Sequence, residues 1–206
     1  MNRRSGAILV LSGPSGAGKS SLIGKITDQI GPTYFSISTT TRPMREGEKD
    51  GVHYHFVSIE EFKHEIEQEM FLEYAVVHGN YYGTSLGPVK KALNEGKLVI
   101  FDIDVQGHDA VQNRLHDITT SVFITTPTLA ELEKRLHSRS TDSEEVIAKR
   151  LEMAKREIQR ISEYDFLIVN DNLDEASEIL VSIAKAARMK IPTLQINEFV
   201  QTWEAT

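Results

Sequence analysis

The 206-residue chain contains no cysteine. That excludes a disulfide framework, a thiolate metal site and a cysteine nucleophile, and it suits a reducing cytoplasm. No apolar stretch is long enough to span a membrane, and Met1-Asn2-Arg3-Arg4-Ser5-Gly6 runs into the first strand without a signal-type segment. A soluble, cytoplasmic protein with no membrane partner is expected. Excess positive charge is also missing: 23 Lys and Arg against 30 Asp and Glu leave a formal −7, whereas a general nucleic-acid binder presents a basic face. There is no internal repeat or low-complexity segment, and a 40 % hydrophobic content supports one sizeable domain.

What is there begins with Gly13-Pro14-Ser15-Gly16-Ala17-Gly18-Lys19-Ser20, the phosphate-loop spacing of Gly, four residues, Gly, Lys and Ser. Before it, Ala7-Ile8-Leu9-Val10-Leu11 reads as a strand buried on both faces. After it, Leu22, Ile23, Ile26 and Ile30 share a helical face that Gly31-Pro32 stops. Glycines at 13, 16 and 18 let backbone N–H groups converge on phosphate oxygens where a helix starts. Lys19 is placed to reach the β and γ phosphates, and Ser20 to ligate the magnesium that bridges them. With strand, loop and helix in order, a chance glycine turn is the weaker reading.

An acidic chain must meet an anion locally, and Lys19, Arg42, Arg45, Arg135, Arg139 and Arg150 are the candidates. Arg42 and Arg45 flank Pro43, whose fixed φ would hold two guanidinium forks toward one phosphate; solvated surface arginines are the alternative. Val52 to Val57 alternates like an antiparallel strand. Ser58 and Glu61 form a capping box for a helix with Phe62, Ile66 and Met70 on one face, and Phe71 to Val77 is strand-like with Glu73 in apolar company. His53, His55 and His78 lack metal-site spacing and read as ordinary histidines.

A helix from Leu86 to Glu95 is closed by Gly96. Leu98 to Asp104 is an apolar run ending in acid, the form of strand whose aspartate sits beside the metal. Asp102 and Asp104 share a parity and point the same way if the strand persists; otherwise they cap the next helix. Thr120 to Ile124 is a further strand, and Thr128 with Glu131 a second capping box. Arg135, Arg139 and Arg150 surround the polar segment 138–145, ahead of an amphipathic helix carrying Ile147, Leu151, Ala154, Ile158 and Ile161. Such a segment is either a mobile lid over a triphosphate or a plain helical hairpin. Phe166 to Val169 is expected as a last buried strand, followed by a helix from Leu173 to Ala187 with Ile179, Leu180 and Ile183 inward. Strands alternating with helices predict an α/β fold, a parallel sheet with helices on both sides, interrupted by an insertion of antiparallel character between about 36 and 84. In the tail, Ile196, Phe199, Val200 and Trp203 recur at helical spacing and need the core or a second subunit to cover them.

Over about residues 7 to 187 the chain resembles the bacterial guanylate kinases. The resemblance is carried in order by the phosphate loop, Ser38-Thr39-Thr40-Thr41-Arg42, Glu73, Gly79-Asn80-Tyr81-Tyr82-Gly83-Thr84, Asp102-Ile103-Asp104-Val105-Gln106-Gly107 and Ile168-Val169-Asn170-Asp171. It implies a parallel-sheet core like that of the P-loop nucleoside triphosphate hydrolases (1–35 and 85–190), with an inserted mixed α/β GMP-binding subdomain (36–84), a helical lid (135–150) and a C-terminal tail (191–206). It implies that Gly13, Pro14, Ser15, Gly16, Ala17, Gly18, Lys19, Ser20 and Asn170 bind ATP, with Asn170 near the adenine. Arg42, Arg45, Tyr54 and Tyr82 would bind the GMP phosphate, while Ser38, Glu73 and Thr84 would read guanine. Asp102 and Asp104 would lie between the nucleotides, with Asp102 and Ser20 at the magnesium. Lys19, Arg135, Arg139 and Arg150 would stabilise the transferred charge. Where many relatives have glycines beside the lid arginine, this chain has Ser138 and Ser140.

The implied reaction is reversible γ-phosphoryl transfer from ATP to GMP with magnesium as cofactor, and self-association through the tail is a further expectation. Two rivals come from other classes. A non-catalytic guanylate-kinase-like module that binds phosphopeptides would have little use for Lys19 and Ser20. A kinase for a phosphorylated sugar would leave Glu73 with no base to read.

Overall fold

The structure is a computed structural model that describes residues 5–45, 47–77, 79–138, 143–194 and 196–205. β1 (Ala7–Ser12) leads through the glycine-rich loop into α1 (Lys19–Ile26). Three short strands follow, β2 (Thr33–Phe35), β3 (Thr39–Thr40) and β4 (His55–Phe56), then α2 (Ile59–Glu67), β5 (Phe71–Val77), β6 (Asn80–Ser85) and α3 (Leu86–Asn94). The second half alternates: β7 (Leu98–Asp102), α4 (Val105–Leu115), β8 (Thr119–Thr125), α5 (Leu129–Ser138), α6 (Glu144–Glu157), β9 (Phe166–Val169) and α7 (Leu173–Ala187), ending in α8 (Ile196–Glu204).

Five strands form a parallel sheet in the order β2-β7-β1-β8-β9. All six residues of the central β1 are buried, and their alternation feeds two cores. Leu9 and Leu11 pack with Leu22 and Ile26 of α1 and Leu180 and Ala184 of α7. Ile8 and Val10 pack with Val89 of α3 and Val111 of α4 on the other face. β1 and β7 are neighbours, so their C-terminal ends bring the glycine loop and Asp102 to the same edge, where open α/β sheets bind ligands.

The remaining strands make a separate sheet, β4-β3-β6-β5, in which β3 pairs parallel with β4 and antiparallel with β6. Phe62 of α2 seals it, stacked on Phe71 at 4.3 Å between ring centroids. The Ser58–Glu61 capping box that starts α2 is present in both directions. Gly96, at φ 72°, ends α3 as expected: the N–H groups of Gly96 and Lys97 bond the carbonyls of Leu93 and Ala92, a Schellman closure.

Several local expectations are corrected. Within 52–57 only His55–Phe56 is strand, and it pairs parallel, because its partner β3 offers just two residues. Tyr34 to Thr41 splits between the two sheets as β2 and β3. β9 is an edge strand with only Ile168 buried. Ile179 is 51 % exposed, beside the stripe that α7 buries, and Met70 is 46 % exposed because α2 ends at Glu67, before it. Thr128 caps α5 through the Glu131 N–H at 3.1 Å, but the Glu131 carboxylate engages Arg135 rather than closing the box.

Candidate active site

The phosphate loop leaves β1 with positive φ at Gly13 (132°), Gly16 (97°) and Gly18 (96°). Space as well as conformation requires glycine at two of these: a Cβ would lie 2.0 Å from the Ile124 carbonyl oxygen at position 13, and 2.3 Å from Asn170 Nδ2 at position 18. The loop is braced within, by the Ala17 N–H on the Pro14 carbonyl at 3.1 Å. It is braced from outside by Asn170, 3 % exposed, whose Nδ2 donates to the Ala17 carbonyl at 2.8 Å. α1 starts without a side-chain cap, so its first N–H groups are left for an anion. Lys19 Nζ donates to the Gly13 carbonyl at 2.6 Å and lies 3.8 Å from Asp102 Oδ1.

Around this lysine is a pocket of about 340 Å³, lined by the loop, Lys19, Ser20, Asp102, Ile103, Asp104 and Glu157. Two of its acids, Asp102 and Glu157, are held in an environment that disfavours charge. Burial pushes Asp102 up, opposed by Lys19; a third of its side chain still reaches solvent, so the two influences meet at the pocket rim. Burial likewise raises Glu157, again opposed by Lys19 and reinforced by Asp104. Asp104 takes the second of its two expected roles and caps α4, accepting from the N–H groups of Gln106 at 3.0 Å and Gly107 at 2.8 Å, yet it still lines the pocket.

Helix α6 faces this pocket with one stripe. Arg150 donates from Nη1 to the Ser15 hydroxyl, and Glu157, seven residues and about two turns on, reaches the loop from the same side. Arg135, near the end of α5, is held by Glu131 at 2.9 Å. Arg139 lies outside the described residues, as does His78.

On the small sheet, Thr84 donates its hydroxyl to Glu73 Oε1 at 2.7 Å. Burial raises the Glu73 carboxyl, the Thr84 bond opposes this, and Asp104 adds to it; the same aspartate thus acts both on Glu157 in the loop pocket and on Glu73 of the small sheet. Ser38 precedes β3, and its carbonyl accepts from the His55 N–H at 2.9 Å. Arg42 lies over the rings of Tyr54 and Phe56, 5.4 and 5.7 Å from their centroids, and Tyr82 meets Tyr54 edge-on at 6.0 Å. Its guanidinium is already engaged, with Glu48 at 2.7 Å and the Pro43 carbonyl at 2.6 Å. Glu48 also accepts from the Arg45 N–H at 2.7 Å, so a single acid ties both arginines into one turn.

A family model described as guanylate kinase matches residues 5–187. The guanylate kinase of Sulfurimonas denitrificans is 72 % identical over 204 residues, 99 % of each chain. The chain belongs to the guanylate kinase family. The guanylate kinase of Wolinella succinogenes is 53 % identical over 205 residues, 100 % of this chain and 95 % of the relative. A crystal structure of guanylate kinase from Anaplasma phagocytophilum matches at 31 % identity with a TM-score of 0.75, covering 98 % of this chain and 96 % of that one. The α/β architecture described above is therefore the guanylate kinase fold.

Two groups of side chains thus flank the cleft. Lys19, Ser20, Asp102 and Asp104 line the loop pocket, and Arg42, Tyr54 and Tyr82 cluster on the small sheet beside the Glu73–Thr84 pair. Asn170 meets the loop pocket from the loop side, through its Nδ2 bond to the Ala17 carbonyl. Sequence reasoning missed Glu48 and Glu157. Both left a signal: Glu48 is an acid in the turn that carries two arginines, and Glu157 falls on the helical stripe of Arg150.

Proposed function

We propose that this guanylate-kinase-family chain transfers the γ-phosphoryl group of ATP to GMP, giving ADP and GDP, with ATP on the phosphate-loop side and GMP on the small sheet. The observation that carries this reading is the pairing of an intact phosphate loop with the Glu73–Thr84 hydrogen bond across the cleft. The complete loop argues against a non-catalytic module, and a half-buried acid paired with a hydroxyl argues against a sugar phosphate as acceptor.

In this reading residues 36–84 form the GMP-binding subdomain, 135–150 the lid and 191–206 a tail. Arg42 and Arg45, with the Tyr54 and Tyr82 hydroxyls, take the GMP phosphate, which replaces Glu48 as the partner of Arg42. Glu73 accepts from N1–H and the 2-amino group, which replace the Thr84 hydroxyl as its partner, and Ser38 and the released Thr84 hydroxyl donate to guanine O6. Lys19, Arg135, Arg139 and Arg150 stabilise charge on the transferred group, whose loose transition state asks for positioning and cations rather than a covalent intermediate. Asn170 lies near the adenine of ATP and also holds the loop through the Ala17 carbonyl.

The donor set suits magnesium, since Ser20 and Asp102 line one pocket with hard oxygen ligands and room for water and phosphate. Ser20 and Asp102 would hold the ion, which neutralises charge on the phosphates when bound. Among the described residues no helix is long and apolar enough to cross a membrane, and a cytoplasmic location accords with these substrates. The exposed Phe199, Val200 and Trp203 of α8 support self-association, checked by mass in solution after deletion beyond Lys190. A coupled assay with GMP, AMP, CMP and UMP tests the main reading: GMP alone should turn over rapidly, and equal use of any other acceptor would overturn it.

A further inference from the structure

We infer that Arg114 is a specificity-positioning residue, which holds from the end of α4 the β-bulge adjoining the Glu73–Thr84 pair and so fixes where that pair stands against the main core. The inference rests on the assignment of that pair to guanine and adds what holds the pair in place.

β5 pairs with β6 in even steps from Val77↔Asn80 to Glu73↔Thr84, but the next pair is Phe71↔Ser85. Two residues of β5 thus face one step of β6, and Leu72 is the extra residue. Glu73↔Thr84 is thus the last pair of the even ladder that runs from the turn, and the bulge beside it sets how that ladder joins Phe71 and Leu72.

The bulge lies on the seam between the main core and the small sheet. Leu72 packs with Val10, Phe101 and Val111 of the main core, while Phe71 stacks on Phe62 in the small sheet. A bulge interrupts the ladder and leaves main-chain acceptors to be satisfied by other groups. Arg114 does this, donating from Nη1 to the Phe71 carbonyl at 2.8 Å and the Leu72 carbonyl at 3.2 Å. The charge on the donor strengthens both bonds. α4 is itself fixed near its start, where Arg160 bonds Asp109 at 2.6 Å and the Val105 carbonyl at 3.3 Å. The peptide before Glu73 is therefore bolted to the same helix that carries Asp104 at its N-terminus.

The test is a double-mutant cycle of Arg114→Met and Glu73→Gln, with GMP and IMP as acceptors. IMP lacks the 2-amino group, so the GMP to IMP ratio reads where the carboxylate lies. Misplacement by about 1 Å can cost on the order of a hundredfold, and loss of one brace among several should raise KM for GMP about tenfold. KM for ATP should stay within about twofold, and the preference for GMP should narrow. In the Glu73→Gln background Arg114→Met should add less than about twofold, because its effect runs through the missing carboxylate. Arg114→Lys, which keeps the charge on a shorter stem, should show a smaller change that vanishes in the same way, and it replaces Arg114→Met if that variant fails to fold. An equal loss in both backgrounds, or a parallel loss in kcat and in KM for ATP, would overturn the role of Arg114 alone. A Glu73→Gln enzyme with an unchanged GMP to IMP ratio would overturn the guanine assignment and this inference with it.

Discussion

At the phosphate loop the chain holds its ligand site with main-chain atoms, whereas across the cleft it relies on side chains. The loop hangs from the fully buried centre of a five-stranded sheet, and its glycines touch the backbone of β8 and the amide of Asn170. The facing sheet includes two strands of only two residues each, and its Glu73, Arg42, Tyr54 and Tyr82 are placed by a bulge, a turn acid and ring contacts. A main-chain site suits phosphate, which every nucleotide shares. A side-chain site suits a base, which has to be told from other bases.

The largest effect should come from the side-chain half. An ionised Glu73 complements two guanine donors but would face a lone pair on N1 of adenine, and a buried polar group left unpaired can discriminate by about ten-thousandfold. Glu73→Ala is expected to collapse the GMP to AMP ratio of kcat/KM by up to that factor, mainly through loss of GMP activity; an unchanged ratio would make Glu73 a structural acid. Next comes Lys19→Ala, where removal of a cation from the transferred charge should lower kcat on the order of a thousandfold and leave the melting temperature and KM for GMP nearly unchanged. Near-normal turnover would remove Lys19 from the chemistry.

A third substitution asks whether the two halves are separable. Phe62 is fully buried and is packed by Phe71 and Tyr81, so Phe62→Ala should cost about 3–5 kcal/mol. If the small sheet is an independent support, calorimetry will show GMP binding lost and ATP binding retained. Loss of both would mean that the sheets stand or fall together.

The smallest effect is one of pH. Burial raises the Glu73 carboxyl above the ordinary glutamate range, so the folded protein takes up this proton at a higher pH than the unfolded chain does. Stability from this group therefore rises as pH falls through the folded pKa, and the charged form costs stability above it. On the proposed reading GMP recognition runs the other way, because it would need the carboxylate. KM for GMP should climb severalfold on acidification, beginning above the pH at which an ordinary glutamate titrates. Glu73→Gln should flatten that limb; a limb that persists belongs to another group.

The same division governs what could be read from sequence. The phosphate loop was legible because its information is local, consisting of glycines that need positive φ, a lysine and a serine at fixed spacing between a strand and a helix. The cap at Gly96 and the box at Ser58 are local in the same sense. Phe166 to Val169 read as a buried strand because an apolar run does not say whether a strand is central or at an edge; that depends on β8 pairing it on one side only. The roles of Asp102 and Asp104 diverged because the strand stops at Asp102, which strand parity cannot foresee. Arg114 carried no signal, since the carbonyls it meets are more than forty positions away.

The central place of β1 also sets an order of events during synthesis. Its register is Ala7↔Leu98 on one side and Ile8↔Thr119 on the other, so the strand made first is completed by partners made much later. At about 5–20 residues per second, it waits roughly 5–20 s for β7 and longer for β8. The small sheet closes within residues 39–85 and needs only short loops to do so. The small sheet can therefore assemble while the phosphate loop is still without its floor, and a chain stalled before Leu98 carries the whole loop sequence without the β7, β8 and Asn170 neighbours that pack around it.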